Sequence, residues 1–371
     1  MPRIIISTTN DISTDNRVNK VALLLLDLGF DVLWVGRQLK DSPPLEREYK
    51  THRMKLWFTE GALFYAEFNI RLFFFLLFRK TDVLLSNDLD TLLANYLSSR
   101  LKRKELVYDT HEYFLGVPEI QDNRLAKVVW TFIERSIFPQ LKTVFTVNNS
   151  IANLYQQDYG IRPKVFRNIS PVVLPEERKT REELDLPTDI KIVINQGSGM
   201  NVDRGIEEAF EAVLDMPDTV LLLVGSGDVI PKLKAMVKDM KAEEKVIFVD
   251  RVPYQELLQY TLNADVGISL DKDTNINYRF SLPNKLFDYI HCGIPVICSN
   301  VIEVKTIVDE YRVGKSIEKV TPEPVAKALE EVLSKGKTSY QDALRIASKE
   351  LTWEKEKVAV EEVYKNLISK V

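Results

Sequence analysis

The chain has 371 residues, 45% of them apolar and 28% charged, with a formal net charge of −4. It is too long for one ordinary core and reads as a globular protein of two domains, each under about 200 residues. Two cysteines exclude a disulfide framework and a Cys-built zinc site, and three histidines, His52, His111 and His291, argue against a multi-His metal centre. The opening MPRIIIS has no basic segment ahead of a long apolar stretch, so no signal peptide is expected.

In chain order, short apolar strands alternate with helical patterns. RIIIS (3–7), DVLWV (31–35), DVLLS (82–86), ELVYD (105–109), TVFTV (143–147) and KVF (164–166) read as strands. Helices are predicted over Asn16–Leu28, Glu60–Arg79, Thr91–Leu101 and Ala126–Ile137. This alternation implies βαβ units and a parallel sheet. The first loop, TTNDISTDN, contains no glycine, which excludes the G-x-G-x-x-G turn of an NAD-binding domain. Asp11, Asp15 and Arg17 stand in or beside this loop as ligand-facing candidates, with N-capping by Asp15 as the alternative.

Residues 1–170 hold 23 Lys+Arg against 19 Asp+Glu, a surplus of +4; the remainder holds 27 against 35, a balance of −8. The basic residues gather at Arg47–Lys55, Arg71, Arg79, Lys80 and Arg100–Lys104, among the aromatic stretches LWF and FNIRLFFFLLFRK. The uninterrupted apolar run Leu72–Phe78 is too short to cross a bilayer. An anionic membrane surface is therefore a candidate partner, against a buried amphipathic helix with solvated charged ends. No nucleic-acid motif accompanies the charge, so nucleic acid is not expected as a partner. Further along, YDTHEYF places His111 beside Asp109 and Glu112 at the C-terminal end of a strand. The pair Asp88/Asp90 reads as a cap for the helix from Thr91 in preference to a metal site, and Asp271/Asp273 likewise carries no metal in this reading.

A Pro-rich charged stretch (171–189) reads as a linker to a second domain at 190–352. There KIVIN (191–195), TVLLLVG (219–225), KVIFV (245–249), DVGISL (265–270) and IPVIC (294–298) alternate with helices over Asp203–Leu214, Val229–Met240, Tyr254–Asn263 and Asn284–His291. A last helix, 353–371, has no strand after it. The fold class is α/β, with two doubly wound Rossmann-like domains facing each other across a cleft. Ligands of such sheets bind in loops that follow strands. QGSGMNVDRGIEEAF (196–210) offers Gly197, Gly199 and Arg204, and GSGD offers Gly225 and Gly227. SLPNKLFDYIHCG starts a short helix at Pro283 with Asn284 and Lys285. A helix N-terminus bearing a lysine suits an anion, and with Arg204 it could neutralise a diphosphate. No P-loop and no nucleophile elbow is present.

These stretches together resemble the family 4 glycosyltransferases, the retaining group of GT-B architecture, and within it the branch that builds bacterial cell-surface polysaccharides. The resemblance rests on TDNRVNKVALLLLDLGFDV, SNDLDTLLA with YDTHEYF, FRNIS, DRGIEEAF, LLLVGSGD, VPYQELLQYTLNADVGISL and LPNKLFDYIHCGIPVICS. It implies an acceptor-binding domain at 1–170, onto which the final helix returns, and a donor-binding domain after the linker. His111, Arg204 and Lys285 would be catalytic. Gly197, Gly225, Gly227, Arg251, Val252, Asn284 and Asp288 would bind the donor, Asp288 at the place of a ribose-binding glutamate. Asp11, Asp15, Arg17 and Glu112 would face the acceptor. The implied reaction moves a sugar from a nucleotide diphosphate, UDP or GDP, to a lipid-linked or polysaccharide precursor, without metal or cofactor. The implied location is cytoplasmic, peripheral on the inner face of the plasma membrane. Three departures stand out: Phe280 replaces the first glutamate of the family's acidic pair, the N-terminal Gly-rich loop is missing, and GSGM replaces a second basic residue before Arg204. A nucleotide-sugar epimerase of the same fold and a non-catalytic nucleotide-sugar-binding subunit are the alternatives.

Overall fold

The computed structural model describes residues 1–13 and 15–369. The chain forms two compact units, Met1–Arg167 together with the stretch from Glu356 onward, and Asn168–Lys355.

The first unit is built on seven parallel strands: β1 (Arg3–Asp11), β2 (Asp31–Gln38), β3 (Lys50–Lys55), β4 (Val83–Asn87), β5 (Glu105–Thr110), β6 (Thr143–Thr146) and β7 (Lys164–Val165), in the order β3-β2-β1-β4-β5-β6-β7. The Ile4–Ile6 and Val83–Leu85 runs are buried on both faces, which is why they are uniformly apolar. Strand β3, KTHRMK, escapes sequence reading because it lies at the sheet edge, pairs with β2 alone and has no apolar run. The helix Asn16–Asp27 starts at Asp15, whose carboxylate accepts the Val18 N–H at 3.0 Å. The final helix, Trp353–Ile368, returns Tyr364 to this unit, edge-on to Phe30 at 6.0 Å and stacked on Phe145 at 6.3 Å. Glu356 accepts the Arg167 backbone N–H at 3.0 Å and its Nε at 2.8 Å. Residues 370 and 371 of the predicted 353–371 helix lie outside the described residues.

The second unit has six parallel strands: β8 (Lys191–Gly197), β9 (Thr219–Gly225), β10 (Val246–Val249), β11 (Val266–Ser269), β12 (Val296–Cys298) and β13 (Gly314–Ser316), in the order β10-β9-β8-β11-β12-β13. Its core joins both faces of this sheet to the helices that follow each strand. The later part of the stretch read as a linker is bound to this unit. Arg181 donates to Asp265 at 2.8 Å and to the carbonyls of Asn263 and Ile190 at 2.9 Å each, and Leu184 and Leu186 are buried. The short helix Asn284–His291 has Pro283 at the capping position just outside it. It stops at Gly293, whose φ of +71° lets its N–H close on the Ile290 carbonyl.

In each sheet the strand order reverses direction once, between β1 and β4 in the first and between β8 and β11 in the second. Loops leaving the C-terminal ends of strands at such a reversal diverge, and they open a crevice there. Both candidate clusters sit at these points.

Candidate functional site

In the first unit, β4 and β5 are neighbours, with Asn87 opposite Asp109. Their ends therefore bring SND (86–88) beside YDTH (108–111), although the sequence separates them by about twenty residues. Asp88 does not cap the helix that starts at Leu89. Its Oδ1 accepts the His111 backbone N–H at 2.8 Å, and its own N–H is donated to the Asp109 carbonyl at 2.9 Å. The cost is a backbone with φ of +55° and ψ of 168°, a region that non-glycine residues occupy only under constraint.

The imidazole of His111 is enclosed by acceptors. Nδ1 lies 3.3 Å from Asp88 Oδ2, and Nε2 lies 3.4 Å from Asp109 Oδ2 and 3.2 Å from Asn87 Oδ1. Burial alone would lower its pKa, but the Asp88 and Asp109 carboxylates raise it to about 9. His111 is thus a held cation, fit to orient a group or to face developing negative charge, and unfit as a base at neutral pH. Asp109 stays ionised despite its burial because Arg17 and His111 hold it well below the usual carboxylate range. Arg17 reaches it at 2.9 and 3.2 Å, and also donates to the Phe166 carbonyl at 3.1 Å. Burial and the Asp88 charge push Asp90 up to about 8 and Glu112 up to about 7. Asp90 takes a short hydrogen bond from Thr9.

The four acceptor-side candidates are thus placed unevenly. Arg17 and Glu112 join the His111 cluster. Asp15 caps a helix, and Asp11 is engaged with Ser13, Ser42 and, at 3.1 Å, Arg53. Of the residues that hold His111, the sequence itself places Asp109 beside it, whereas Asn87 and Asp88 come from a neighbouring strand end and have no local signal linking them to it. The signal was two polar strand ends that the sheet order makes adjacent.

In the second unit, the loops after β8 and β11 supply a cationic pair around one carboxylate. Gly205 has φ of +71°, and a Cβ there would meet the Leu270 carbonyl oxygen at 2.5 Å, so the two loops approach backbone to backbone. Asp203 accepts the Lys272 N–H at 2.8 Å. This zipper presents Arg204, which bonds Asp271 Oδ2 at 2.5 Å and lies 4.0 Å above the Tyr278 ring. Asp271 is 1% exposed and also accepts from Ser281 at 2.8 Å. Asp273 pairs instead with Arg279 at 2.8 Å, so both members of this Asp-x-Asp pair face arginines. Lys285, in the first turn of its helix, donates to Asn195 Oδ1 at 2.6 Å. Desolvation lowers its pKa to about 8, against the opposing pull of Asp271 and with the help of Arg204.

Several polar atoms of this cluster make no hydrogen bond: Arg204 Nε, Asp271 Oδ1, Asn195 Nδ2, Ser269 Oγ and Asn284 Oδ1. Asn195, Ser269 and Asp271 are almost wholly buried, where an unpaired polar atom costs about 1–3 kcal/mol. The chemistry of this cluster, two cations and a set of unsatisfied donors and acceptors at a helix N-terminus, suits a polar anion.

The glycines divide into two kinds. A Cβ on Gly225 would meet the Gly197 carbonyl oxygen at 2.0 Å, and one on Gly227 would meet that of Met200 at 1.9 Å. Those two glycines let the loops after β8 and β9 pack on each other, with Ser226 donating to Gly197 and Met200 to Ser226. Gly197, with φ of +122°, and Gly199 have open space where a side chain would stand. Asp288 is 4% exposed; its oxygens accept from Gln196 at 3.0 Å and from Tyr254 at 2.7 Å. It ties the end of β8 to the helix that carries Lys285. Arg251 is exposed and Val252 packs against the core. Gln196, Tyr254 and Asp271 were not singled out as site residues from the sequence, because nothing local in it shows which side chains a turn folds inward. Among the described residues no group of three or more His, Cys, Asp or Glu could hold a metal ion.

Two family models match this chain: Glycosyltransferase Family 4 over residues 16–176 and Glycosyl transferases group 1 over residues 176–350. No curated protein matches it. Among solved structures, it is similar to sucrose-phosphate synthase from Thermosynechococcus elongatus, at 18% identity and a TM-score of 0.78, with 100% of each chain covered. It is similar to a glycosyltransferase from Rickettsia africae at 15% identity and a TM-score of 0.77, covering 100% of this chain and 99% of that one. It is also similar to HepE from Anabaena in complex with UDP-glucose, at 14% identity and a TM-score of 0.73, covering 99% and 100%. At these identities the likeness is one of fold, the GT-B pair of parallel α/β sheets.

Proposed function

The chain belongs to the glycosyltransferases, its first half to family 4 and its second to group 1, and from that premise we propose that it is a retaining enzyme whose second unit binds a nucleotide-diphosphate sugar at Arg204 and Lys285. The observation that supports this most is the convergence of those two cations with unsatisfied buried donors and acceptors at the reversal of the second sheet. UDP is the first donor to test, since HepE, of similar fold, was crystallised with UDP-glucose; GDP is the second.

In this reading the diphosphate displaces Asp271 as the main partner of Arg204, and Lys285 meets it from the helix N-terminus. Preorganised charge of this kind is worth about 3–4 kcal/mol of barrier for each strong donor. These groups would let the diphosphate leave without a metal. Gly197 and Gly199 give the phosphates a backbone surface free of side chains. Asp288 acts through Gln196 and Tyr254 by fixing the Lys285 helix to β8, and a ribose contact would use whatever edge of the Asp288–Tyr254 pair the nucleotide reaches. The His111 cation orients the transferred sugar, held by Asp88 and Asp109. The acceptor hydroxyl attacks on the face the diphosphate leaves, which gives retention, and a phosphate oxygen takes the hydroxyl proton. The acceptor is a lipid-linked or polysaccharide precursor of the bacterial surface, and the enzyme works from the cytoplasmic side, peripheral to the membrane.

Titration calorimetry with UDP, GDP, ADP and CMP tests the donor site. One nucleotide should bind at micromolar strength, and Arg204→Ala should weaken it by about 10- to 150-fold, the worth of a charged hydrogen bond. Equal binding by the variant would move the donor elsewhere.

A further inference from the structure

The helix Gly61–Phe78 is long and apolar enough to cross a membrane by length and composition, with a mean hydropathy of 1.5, yet only 22% of it is buried in the structure. It does not span. Phe64, Phe68, Leu72 and Leu76, one residue in every four, are packed on the first sheet with Ile5, Val35 and Leu84. The opposite stripe is also apolar and faces outward: Leu63 is 59% exposed, Ile70 59%, Phe74 52% and Phe78 80%. Only Glu67, Asn69 and Arg71 interrupt its apolar surface, and a helix with large apolar side chains on opposite faces is ordinarily covered on both.

The residues beside this stripe are fixed in place. Glu67 accepts the backbone N–H groups of Trp57 and Phe58 at 3.0 Å and pairs with Arg71, whose guanidinium lies 4.7 Å from the Trp57 ring. Trp57 is 84% exposed, with its backbone N–H bonded to Glu67 and its ring against the Arg71 guanidinium next to the stripe. Where the helix meets the edge strand β3, a pocket of about 520 Å³ opens, lined by cations and aromatic rings, among them Lys55, Arg71, Phe74, Phe78 and Arg79. Lys55, Arg79 and Lys80 are exposed and pair with no carboxylate among the described residues, and Lys102 donates to the Leu76 carbonyl at 2.8 Å at the same helix end.

We propose that this face is a docking surface for an anionic phospholipid bilayer: the outward stripe and Trp57 lie in the interface, and the pocket between helix and edge strand takes a lipid phosphate. The distribution of charge selects this occupant. A second copy seated by two-fold symmetry would set Lys55, Arg79 and Lys80 against the same cations. An anionic surface complements them, and a tryptophan fixed beside an apolar stripe with flanking Lys and Arg matches the chemistry of the headgroup boundary. The inference deepens the peripheral placement proposed above, but binding to vesicles requires neither donor nor acceptor. Its failure would leave the sugar-transfer reading standing.

The test is flotation of the full chain with vesicles of phosphatidylcholine alone and of phosphatidylcholine with about one third phosphatidylglycerol. Binding is expected to the anionic vesicles only and to weaken with salt. Lys55→Ala with Arg79→Ala should lose about 30-fold in affinity, from about 1 kcal/mol per basic residue near the surface. Trp57 emission should shift to the blue on binding, identified as the component missing in Trp57→Phe. All these side chains are exposed, so an unchanged melting temperature checks the fold. Equal binding to neutral and anionic vesicles, or a charge variant that binds like wild type, overturns the proposal. So does a wild-type dimer that Phe74→Ser with Phe78→Ser converts to monomer, because a second copy would then cover the stripe.

Discussion

Raising the pH from 7 to 9 removes the charge of Lys285 without touching another atom of the donor site. Burial brings its amine to a pKa of about 8, so the folded chain carries it about 90% protonated at pH 7 and about 10% at pH 9. A diphosphate that accepts a charged hydrogen bond from it, worth about 1.5–3 kcal/mol, holds the proton more tightly in the complex. Affinity for the diphosphate should therefore fall roughly five- to tenfold between pH 7 and 9. Titration calorimetry at half-unit intervals, with the nucleotide that binds wild type, reads this directly. Lys285→Arg keeps its charge throughout and should give a flat profile. Lys285→Ala should be weak and flat. The same shift affects stability in a stated direction: the unfolded lysine keeps its proton until about 10.5, so wild type gains stability as pH rises from 8 toward that value. A wild-type profile as flat as that of Lys285→Arg, or an alanine variant that still falls with pH, would refute the placing of Lys285 on the diphosphate.

Asp90 gives a second pH-dependent outcome, of opposite sign. Its folded pKa is raised to about 8 while the unfolded carboxyl ionises near 3.8, so its contribution is present below pH 3.8 and is lost progressively up to pH 8. Asp90→Asn should therefore melt increasingly above wild type as pH rises over that window; parallel melting curves would contradict it. Gly227→Ala forces a Cβ onto the Met200 carbonyl and should destabilise by about 1–3 kcal/mol in denaturant unfolding. Gly199→Ala, with nothing within 4 Å, should leave stability unchanged and weaken diphosphate binding alone. Asp271→Ala leaves Arg204 beside a buried site without its counter-charge, and should cost about 3–5 kcal/mol by the same denaturant measurement.

The alternation of apolar strands and helices was legible because strands buried on both faces must be apolar throughout, as KIVIN and TVLLLVG are. Strands β3 and β13 were not legible. Each is short, sits at a sheet edge and takes its stability from a single neighbour, so neither needs an apolar run. Arg204 could be picked out because it stands in the loop after a strand, where the fold class puts ligands, and Lys285 because it stands in the first turn of a helix marked by Pro283. The partners that set their chemistry could not. Asp271 and Asp288 look alike as acidic residues near a helix, and only the packing shows that one neutralises Arg204 while the other is enclosed by Gln196 and Tyr254. Asp88 misled for the same reason. An aspartate before a helix ordinarily caps it, but here the adjacent strand end offers the His111 N–H, and the backbone accepts strain to reach it. The outward stripe on Gly61–Phe78 was half legible: composition gave the apolar run, and only the structure shows that one face of it is left uncovered.

The central claim, a retaining sugar transfer from a nucleotide diphosphate, is tested most directly by incubating the full chain with radiolabelled UDP- and GDP-sugars and a bacterial lipid extract. Label is expected to pass into a lipid-linked or polysaccharide product with the donor's anomeric configuration kept, and to be lost in Arg204→Ala. Release of an epimerised sugar alone, inversion at the anomeric carbon, or tight nucleotide binding without any transfer would contradict it.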